Sequence, residues 1–364
     1  MIIGIDGIEA NVEQKVGVSV YTAQLLSYFH SQASKELQFV VYLRSAPVAN
    51  LPEENQFFKY EIVLQKGLWR DLFFPIHLYL HKKIDVLFCP AHYIPRFCPV
   101  PTVVTIHDLA YEFFPNEFKK EDLYKLKNWT RHAVRKARNV IAVSKTTATD
   151  LQKVYAVPAE KITTIYNGYA SIENFSDETL ESFGLKPKKY FLYIGTLQPR
   201  KNIPTLIQAF AEFHKTHPDI KLVIVGRKGW MYDSIFEEVT RLKLETAIFF
   251  TGYVKSVEKF YTNALAYILP SLYEGFGMPV VEAMHYGCPV IVSQTPALDE
   301  VSDGACLSFP PHDTIALAQK LEKVMEPSVR KALIEKGKRR AKDFSWKKTA
   351  QKTLDILKQS CIHH

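Results

Sequence analysis

The stretch YFLYIGTLQPRKNIPTLIQAFAEFH, Tyr190–His214, decides how the rest of the chain is read. Its opening run, Tyr190 to Gly195, is apolar and stops at a glycine, as a buried parallel strand does. Thr196 to Asn202 is a polar turn holding the adjacent bases Arg200 and Lys201. From Ile203 to His214 the apolar residues return at helical spacing, with Pro204 in the first turn, where its missing N–H costs nothing.

Outward from this unit the same pattern recurs. Short apolar runs at Leu222 to Gly226, Ile248 to Gly252, Leu265 to Pro270 and Pro289 to Ser293 follow it. Ile2 to Asp6, Phe39 to Leu43, Val86 to Cys89, Thr102 to His107, Val140 to Ser144 and Ile162 to Tyr166 precede it. Strands alternating with helices predict α/β sheets, mostly parallel and covered on both faces. A chain of 364 residues exceeds what one core usually spans, so two domains are expected. Strand patterning lapses after Asn167-Gly168, and the polar stretch Ser171 to Glu181 reads as a linker or loop. The predicted domains are residues 1–170 and 171–345. A last helix from Trp346, with Ala350, Leu354 and Leu357 on one face and Ser345 as its cap, could return residues 346–364 to the first domain.

Composition excludes several classes. No apolar run is long enough to span a bilayer, and Met1 to Asp6 lacks the basic and apolar regions of a secretory signal, so a cytoplasmic protein is expected. Cys89, Cys98, Cys288, Cys306 and Cys361 are scattered, without the spacing of a zinc site or a disulfide framework. The formal charge of +8 favours anionic partners without choosing among them. A nucleic-acid partner is not expected, because the bases are dispersed and no recognition module is present. His363 and His364 carry no functional weight.

In open α/β sheets ligands bind beyond the carboxyl ends of the strands, and unusual residues collect there. Ser271 to Gly287 contains Glu274-Gly275-Phe276-Gly277, then Pro279 and Glu282, with Gly287 as the stop of a short helix expected to open at Pro279. Glycines before a helix let backbone N–H groups approach an anion. Glu274, in the loop, suits the hydroxyls of a transferred sugar. Glu282, expected in the first helical turn, suits a ribose diol. The competing reading makes Glu282 a complement to the helix dipole and Glu274 a solvated acid. Arg200 and Lys201 offer a donor fork and a point charge for a diphosphate; isolated, such a pair is more often plain surface. In the first half Gly17 stands between strand and helix, and His107-Asp108 ends a strand. His107 could donate to sugar or diphosphate, and Asp108 could orient it or cap a turn.

With these motifs the chain resembles the GT-B-fold glycosyltransferases of family 4. The resemblance rests on Glu274-x7-Glu282 with its Gly-Phe-Gly interior, Gly195 to Asn202, His107-Asp108, Val143-Ser144-Lys145, the Asn167-Gly168 junction and Phe344-Ser345-Trp346, and it covers nearly the whole chain. It implies two Rossmann-like domains facing across a deep cleft, with a C-terminal helix crossing back to the N-terminal domain. The first domain would bind the acceptor and the second the nucleotide-sugar donor. It further implies that Arg200 and Lys201 bind the diphosphate, Glu274 the sugar and Glu282 the ribose. Gly226 and the Gly252-Tyr253-Val254 turn would lie beside the nucleoside, with Gly17, Gly195, Gly275, Phe276 and Gly277 also at the donor. Many members carry paired glycines in the first loop; here Lys15-Val16-Gly17-Val18 supplies one.

The implied reaction retains anomeric configuration, with no metal or other cofactor. No Asp-x-Asp run stands in a strand-end loop where a divalent ion would be expected. The stretch His107 to Pro115 looks most like the bacterial mannosyltransferases, pointing to GDP-mannose as donor and a glycan or lipid-linked acceptor. The alternatives are a UDP-sugar donor for glucose or N-acetylglucosamine, and a noncatalytic nucleotide-sugar-binding protein. Residues 65–83 mix aromatics and bases as a segment at the inner face of the plasma membrane would, although a core helix with exposed ends fits them better. Lys119 to Arg138 reads as a solvated basic helix.

Overall fold

The computed structural model describes residues 1–64, 69–81, 83–169, 180–254 and 256–361. The chain divides into two compact units, Met1–Gly168 with Ser345–His364, and Tyr169–Phe344. Gln65 to Leu68 and Lys82, most of the predicted linker (residues 171–179), and His363 and His364 lie outside the described residues.

The first unit holds the strands β1 (Ile2–Asp6), β2 (Gln38–Leu43), β3 (Phe58–Ile62), β4 (Val86–Cys89), β5 (Thr102–Ile106), β6 (Asn139–Ala142) and β7 (Ile162–Thr164). They pair in parallel in the order β3-β2-β1-β4-β5-β6-β7. The central strands β4 and β5 are buried at every position, which is why they read as unbroken apolar runs. Phe29, Phe39 and Phe58 knit the helix Val18–Gln32 to this sheet, with the first two rings stacked at 5.3 Å.

The C-terminal helix, Trp346–Cys361, is part of this first unit although its sequence follows the second. Its buried face is Trp346, Thr349, Ala350, Thr353, Leu354 and Leu357, the expected helical spacing continued by one more turn. Trp346 meets Tyr21 edge-on at 5.9 Å, Thr349 Oγ1 donates to the Tyr166 carbonyl at 2.6 Å, and Ser360 donates to Asn139 at 3.0 Å. Gly168 is required here: a Cβ on it would stand 2.1 Å from the Trp346 nitrogen.

The second unit holds β8 (Tyr190–Ile194), β9 (Lys221–Val225), β10 (Ile248–Gly252), β11 (Tyr267–Leu269), β12 (Val290–Ser293) and β13 (Leu307–Phe309), all parallel, in the order β10-β9-β8-β11-β12-β13. Burying Leu192, Leu222, Val223 and Ile291 completely contributes roughly 1.5–3 kcal/mol for each side chain. The helix Ile203–His214 buries Ile203, Leu206, Ile207, Phe210 and Phe213, the face its spacing predicted.

Two strands were not anticipated, β3 and β13, and both stand at sheet edges. Phe58–Ile62 is polar and half-exposed, and Leu307–Phe309 has three residues, so neither carries the apolar run of a central strand. Several strands also end a residue or more before their predicted stops, which leaves His107, Gly195 and Gly226 just beyond the carboxyl ends of β5, β8 and β9. Among the described residues no helix is long and apolar enough to cross a membrane.

Candidate active site

Each sheet reverses its strand order once, between β1 and β4 and between β8 and β11. The crevice at such a switch point is where open α/β sheets bind ligands. The candidate residues fall into two groups, one at the carboxyl ends of each sheet.

In the second unit Pro199–Lys201 forms one 3-10 turn, ended by Asn202 in the left-handed conformation at φ 54°. The Asn202 amide spans the switch point: its nitrogen donates to the Pro270 carbonyl after β11 at 3.1 Å and to the Pro311 carbonyl at 2.6 Å, while its oxygen accepts from Thr205 at 2.7 Å. Arg200 and Lys201 are thereby brought against Glu274. Lys201 Nζ bonds Glu274 Oε1, Arg200 Nη1 lies 3.5 Å from Glu274 Oε2 and donates to the Tyr273 carbonyl at 3.0 Å, and Ser271 donates to Oε1 at 2.6 Å. Glu274 is not the solvated loop acid of the competing reading, being only 8% exposed. Burial alone would raise its pKa, but the charges of Lys201 and Arg200 and the bonds from Lys201 and Ser271 outweigh it and hold the carboxyl below its ordinary value.

The floor beside this cluster is glycine. Gly195, Gly226 and Gly252 sit at the ends of β8, β9 and β10, and the Gly195 and Gly226 N–H groups donate to the Val225 and Gly252 carbonyls, each at 2.9 Å. Gly226 adopts φ 150°, and a Cβ there would stand 2.0 Å from the Gly195 carbonyl oxygen. Only glycine satisfies both constraints. After Gly252, Tyr253 is partly exposed whereas Val254 is buried, so the valine side chain is a packing element.

The loop Gly275-Phe276-Gly277 leads into the helix Met278–His285, with Gly277 at φ 92° as its cap. One expectation changes here. The helix opens at Met278, so Glu282 lies in the second turn, and no acid complements the dipole in the first. The Phe276 ring is buried edge-on to Phe344 at 5.5 Å.

Glu282 Oε2 accepts from the buried Tyr261 hydroxyl at 3.2 Å. Burial pushes the Glu282 carboxyl up to about 7, against the Tyr261 bond, which lowers it. Glu274 and Glu282 are thus two carboxyls of opposite perturbation on one segment, and such pairs mark sites where a ligand meets distinct protonation states.

In the first unit Gly17 caps the helix Val18–Gln32 at φ 53°. No described atom lies within 4 Å of where its Cβ would be, so the backbone angle and not close approach requires glycine. His107 Nε2 lies 2.7 Å from the Pro90 carbonyl. A carbonyl only accepts, so Nε2 carries the proton and Nδ1 is the bare acceptor. Burial, reinforced by His92, pushes the His107 pKa down to about 4, and Tyr21 holds the ring edge-on at 4.8 Å. Asp108 Oδ1 accepts from the Ala110 N–H at 2.9 Å and so caps the turn, one of its two expected roles. Ser144, of Val143-Ser144-Lys145, likewise caps a helix through the Thr147 N–H at 2.9 Å.

Two contributors, Asp6 and Tyr261, were not singled out from sequence. Asp6, at the switch-point end of β1, pairs with Arg70 at 2.9 Å, and Arg70 also reaches Glu9 at 3.3 Å and lies over the Tyr93 ring at 4.8 Å. The place of Asp6 just after a central strand was the available signal. Tyr261 had none, since its partner is distant in sequence.

Two parallel Rossmann-like units with a returning C-terminal helix and charged switch-point loops define a GT-B glycosyltransferase. Residues 176–340 match the model for glycosyl transferases group 1, and residues 16–170 that for Glycosyltransferase Family 4. The O-antigen chain mannosyltransferase B of Escherichia coli is 31% identical over 278 residues, 74% of this chain and 73% of that protein. The O-antigen chain mannosyltransferase RfbU of Salmonella typhimurium is 29% identical over 62% of this chain and 61% of its own. The crystal structure of Anabaena Alr3699/HepE in complex with UDP and glucose superposes with TM-score 0.76 at 19% identity, covering 98% of this chain and 99% of that one, a likeness of fold. The chain belongs to glycosyltransferase family 4, and it is an enzyme that transfers a sugar.

Proposed function

We propose that the protein is a retaining transferase that moves mannose from GDP-mannose to a hydroxyl of a glycan or lipid-linked acceptor, without a metal ion. The observation that carries the donor site is the Arg200-Lys201-Glu274 cluster at the β8/β11 switch point. The O-antigen mannosyltransferases among its relatives support the sugar and the kind of acceptor.

Cleavage of the bond between sugar and diphosphate leaves positive charge on the ring and negative charge on the leaving nucleotide. Arg200 and Lys201 stand in fixed positions to balance that negative charge, so no divalent ion is assigned the task. Glu274, held anionic between them, accepts hydroxyls of the transferred sugar, and ionised Glu282 accepts the ribose diol. In the first unit, the bare Nδ1 of His107 is an acceptor for a sugar hydroxyl. The second unit then binds the donor and the first the acceptor.

Calorimetry and product analysis with GDP-mannose, UDP-glucose, UDP-N-acetylglucosamine and ADP-glucose, all in EDTA, test the reading. Binding of GDP-mannose lost in Arg200→Ala, with mannose transferred in the configuration of the donor, is the expected result. A UDP-sugar bound in its place would replace the donor, a direction in which the UDP complex of the Anabaena neighbour points. Binding without transfer to any O-antigen-type acceptor would overturn the acceptor assignment.

A further inference from the structure

The carboxyl ends of four neighbouring strands in the first unit carry a second charged cluster, which the donor reading does not use. Asp6 closes β1, Arg44 follows β2, Tyr93 lies beyond β4 and Asp108 beyond β5. Asp6 is buried; its Oδ2 accepts from Arg70 Nε at 2.9 Å and its Oδ1 from the Ile8 N–H at 3.3 Å. Arg70 Nη2 donates to Glu9 Oε1 at 3.3 Å, and the guanidinium lies over the Tyr93 ring at 4.8 Å. The segment that supplies Arg70, Trp69–Phe73, is a π-helical turn, and such turns are frequent at functional sites. A buried ion pair is weak evidence of a stabilising role, and this one stands at the edge of the sheet where ligands bind.

Aromatic surface walls this cluster. Trp129, on the helix Lys120–Lys136, meets the Tyr93 ring at 85° and 4.7 Å, so the two rings form a corner. Trp129 is half-buried and lies outside the buried set of its helix, which is Thr130, Ala133 and Val134. The bonds among Asp6, Arg70 and Glu9 use Nε and Nη2 of the arginine and Oε1 of Glu9. Arg70 Nη1 and Glu9 Oε2 are left as a donor and an acceptor for a ligand, and the Glu9 side chain is 32% exposed. From Tyr93 the rings continue to His92 at 6.2 Å, and from His92 to His107 at 5.9 Å, so the cluster adjoins the His107 imidazole. Among the described residues the charges acting on Tyr93 are Arg70 on one side and Glu9, Asp122 and Asp108 on the other. Adding Asp6 and Arg44 leaves the acids in excess.

We infer that Arg70 and Glu9, fixed by Asp6 and walled by Tyr93 and Trp129, form a subsite for the acceptor sugar that selects an uncharged pyranoside over one bearing a phosphate. A pyranose offers hydroxyls that both donate and accept, together with an apolar C–H face. A donor, an acceptor and an aromatic corner match all three. A phosphate only accepts, so it gains nothing from Glu9 and meets an excess of negative charge. The inference rests on the transferase reading with its acceptor on the first unit, and it narrows the acceptor: the group recognised here is a neutral sugar, and any lipid-linked phosphate lies beyond the subsite.

Donor affinity of the full chain is measured first by calorimetry, and transfer is then followed from the nucleotide sugar that binds. Failure of the donor reading shows in that first step, before any acceptor is present. The acceptors are methyl α-mannoside, methyl α-glucoside and the 6-phosphate of each. The neutral glycosides are expected to be the better substrates, by about tenfold or more in kcat/KM. Glu9→Gln should raise the acceptor KM roughly 10- to 100-fold, the weight of a hydrogen bond to a charged group, and leave donor affinity at wild type. Trp129→Ala should act in the same direction. Arg70 is kept, because its loss would strand the buried Asp6. Glu9→Lys should shift the preference toward the 6-phosphates by about tenfold or more, a change that a purely structural role would not produce. Wild-type preference for the phosphorylated sugars, or use of neither kind by a protein that binds its donor, overturns the inference. So does an acceptor KM that Glu9→Gln and Trp129→Ala both leave unchanged.

Discussion

The Tyr261 hydroxyl reaches Glu282 Oε2 across 3.2 Å, a bond from a fully buried ring to a carboxyl that burial pushes up to about 7. Tyr261 is itself fixed by the Tyr267 ring at 5.6 Å and the Tyr286 ring at 5.8 Å. The carboxyl proposed to receive a ribose diol therefore titrates near neutrality.

Donor binding should follow that titration. The KM for the nucleotide sugar is expected to rise as pH falls below about 7, where Glu282 gains its proton and can no longer accept two hydroxyls. Tyr261→Phe removes the bond that lowers this pKa, so the acidic limb should move to higher pH with kcat little changed. A Tyr261→Phe profile that overlays wild type would refute the positioning role.

The same group links stability to pH. Its folded pKa is raised above the ordinary 4.5, so the native state binds the extra proton between about 4.5 and 7, and the associated stability is lost as pH rises through 7. Glu282→Gln mimics the protonated form. At pH 8 it should be more stable than wild type by up to about 3 kcal/mol, and near pH 4 the two should match. Thermal unfolding at both pH values measures the difference.

Lys201 holds Glu274, and the proposed duty toward the diphosphate separates from this one by mutation. Lys201→Ala should reduce kcat by roughly 10²–10³, the usual loss for one donor aimed at developing charge. It should also cost about 3 kcal/mol of stability, because a buried carboxylate loses its cation. Lys201→Ala/Glu274→Gln should recover stability and not activity. Recovery of both would remove Lys201 from the chemistry.

Gly226→Ala tests the glycine floor. The Cβ meets the Gly195 carbonyl oxygen at 2.0 Å, on a backbone angle that other residues rarely adopt. A loss of at least about 3 kcal/mol is expected in denaturant unfolding, well above the usual penalty of a surface change. Gly17→Ala, whose Cβ meets no described atom, should cost only the strain of its backbone angle, about 1–3 kcal/mol.

For His107 the expected state is neutral throughout the working range, since burial pushes its pKa down to about 4. Nitrogen NMR at pH 6 should show the proton on Nε2, bonded to Pro90. The near-neutral limb of the activity profile should survive in His107→Asn even though its rate falls.

Central strands and strand-end residues were legible in the sequence because parallel pairing buries both faces and leaves unbroken apolar runs that end at the site. Edge strands such as Phe58–Ile62 were not, because one side is paired and the other is wet, so their composition resembles loop. The charges of Arg200, Lys201 and Glu274 were legible as types, and their mutual bonding was not, since it is made by Asn202 drawing two distant loops together. Glu282 shows the same limit. Its environment is a tyrosine from another helix, so neither the direction of its pKa nor its place in the second turn could be read from the Glu-x7-Glu spacing. Residues 65–83 were expected to form a core helix with exposed ends, and among the described residues Trp69, Phe74 and Leu78 lie inside while Leu72, Ile76, Tyr79 and Leu80 lie outside.

The returning helix also orders events during synthesis. The ribosome makes most of the first unit, then all of the second, and only afterwards supplies Trp346, Ala350, Leu354 and Leu357, which cover Tyr21 and its neighbours. The unit begun first is therefore finished last, and in the interval it exposes apolar surface while the second unit, contiguous in sequence, can fold as it emerges. A nascent chain stalled before Ser345 would hold one completed unit and one open to chaperones and proteases.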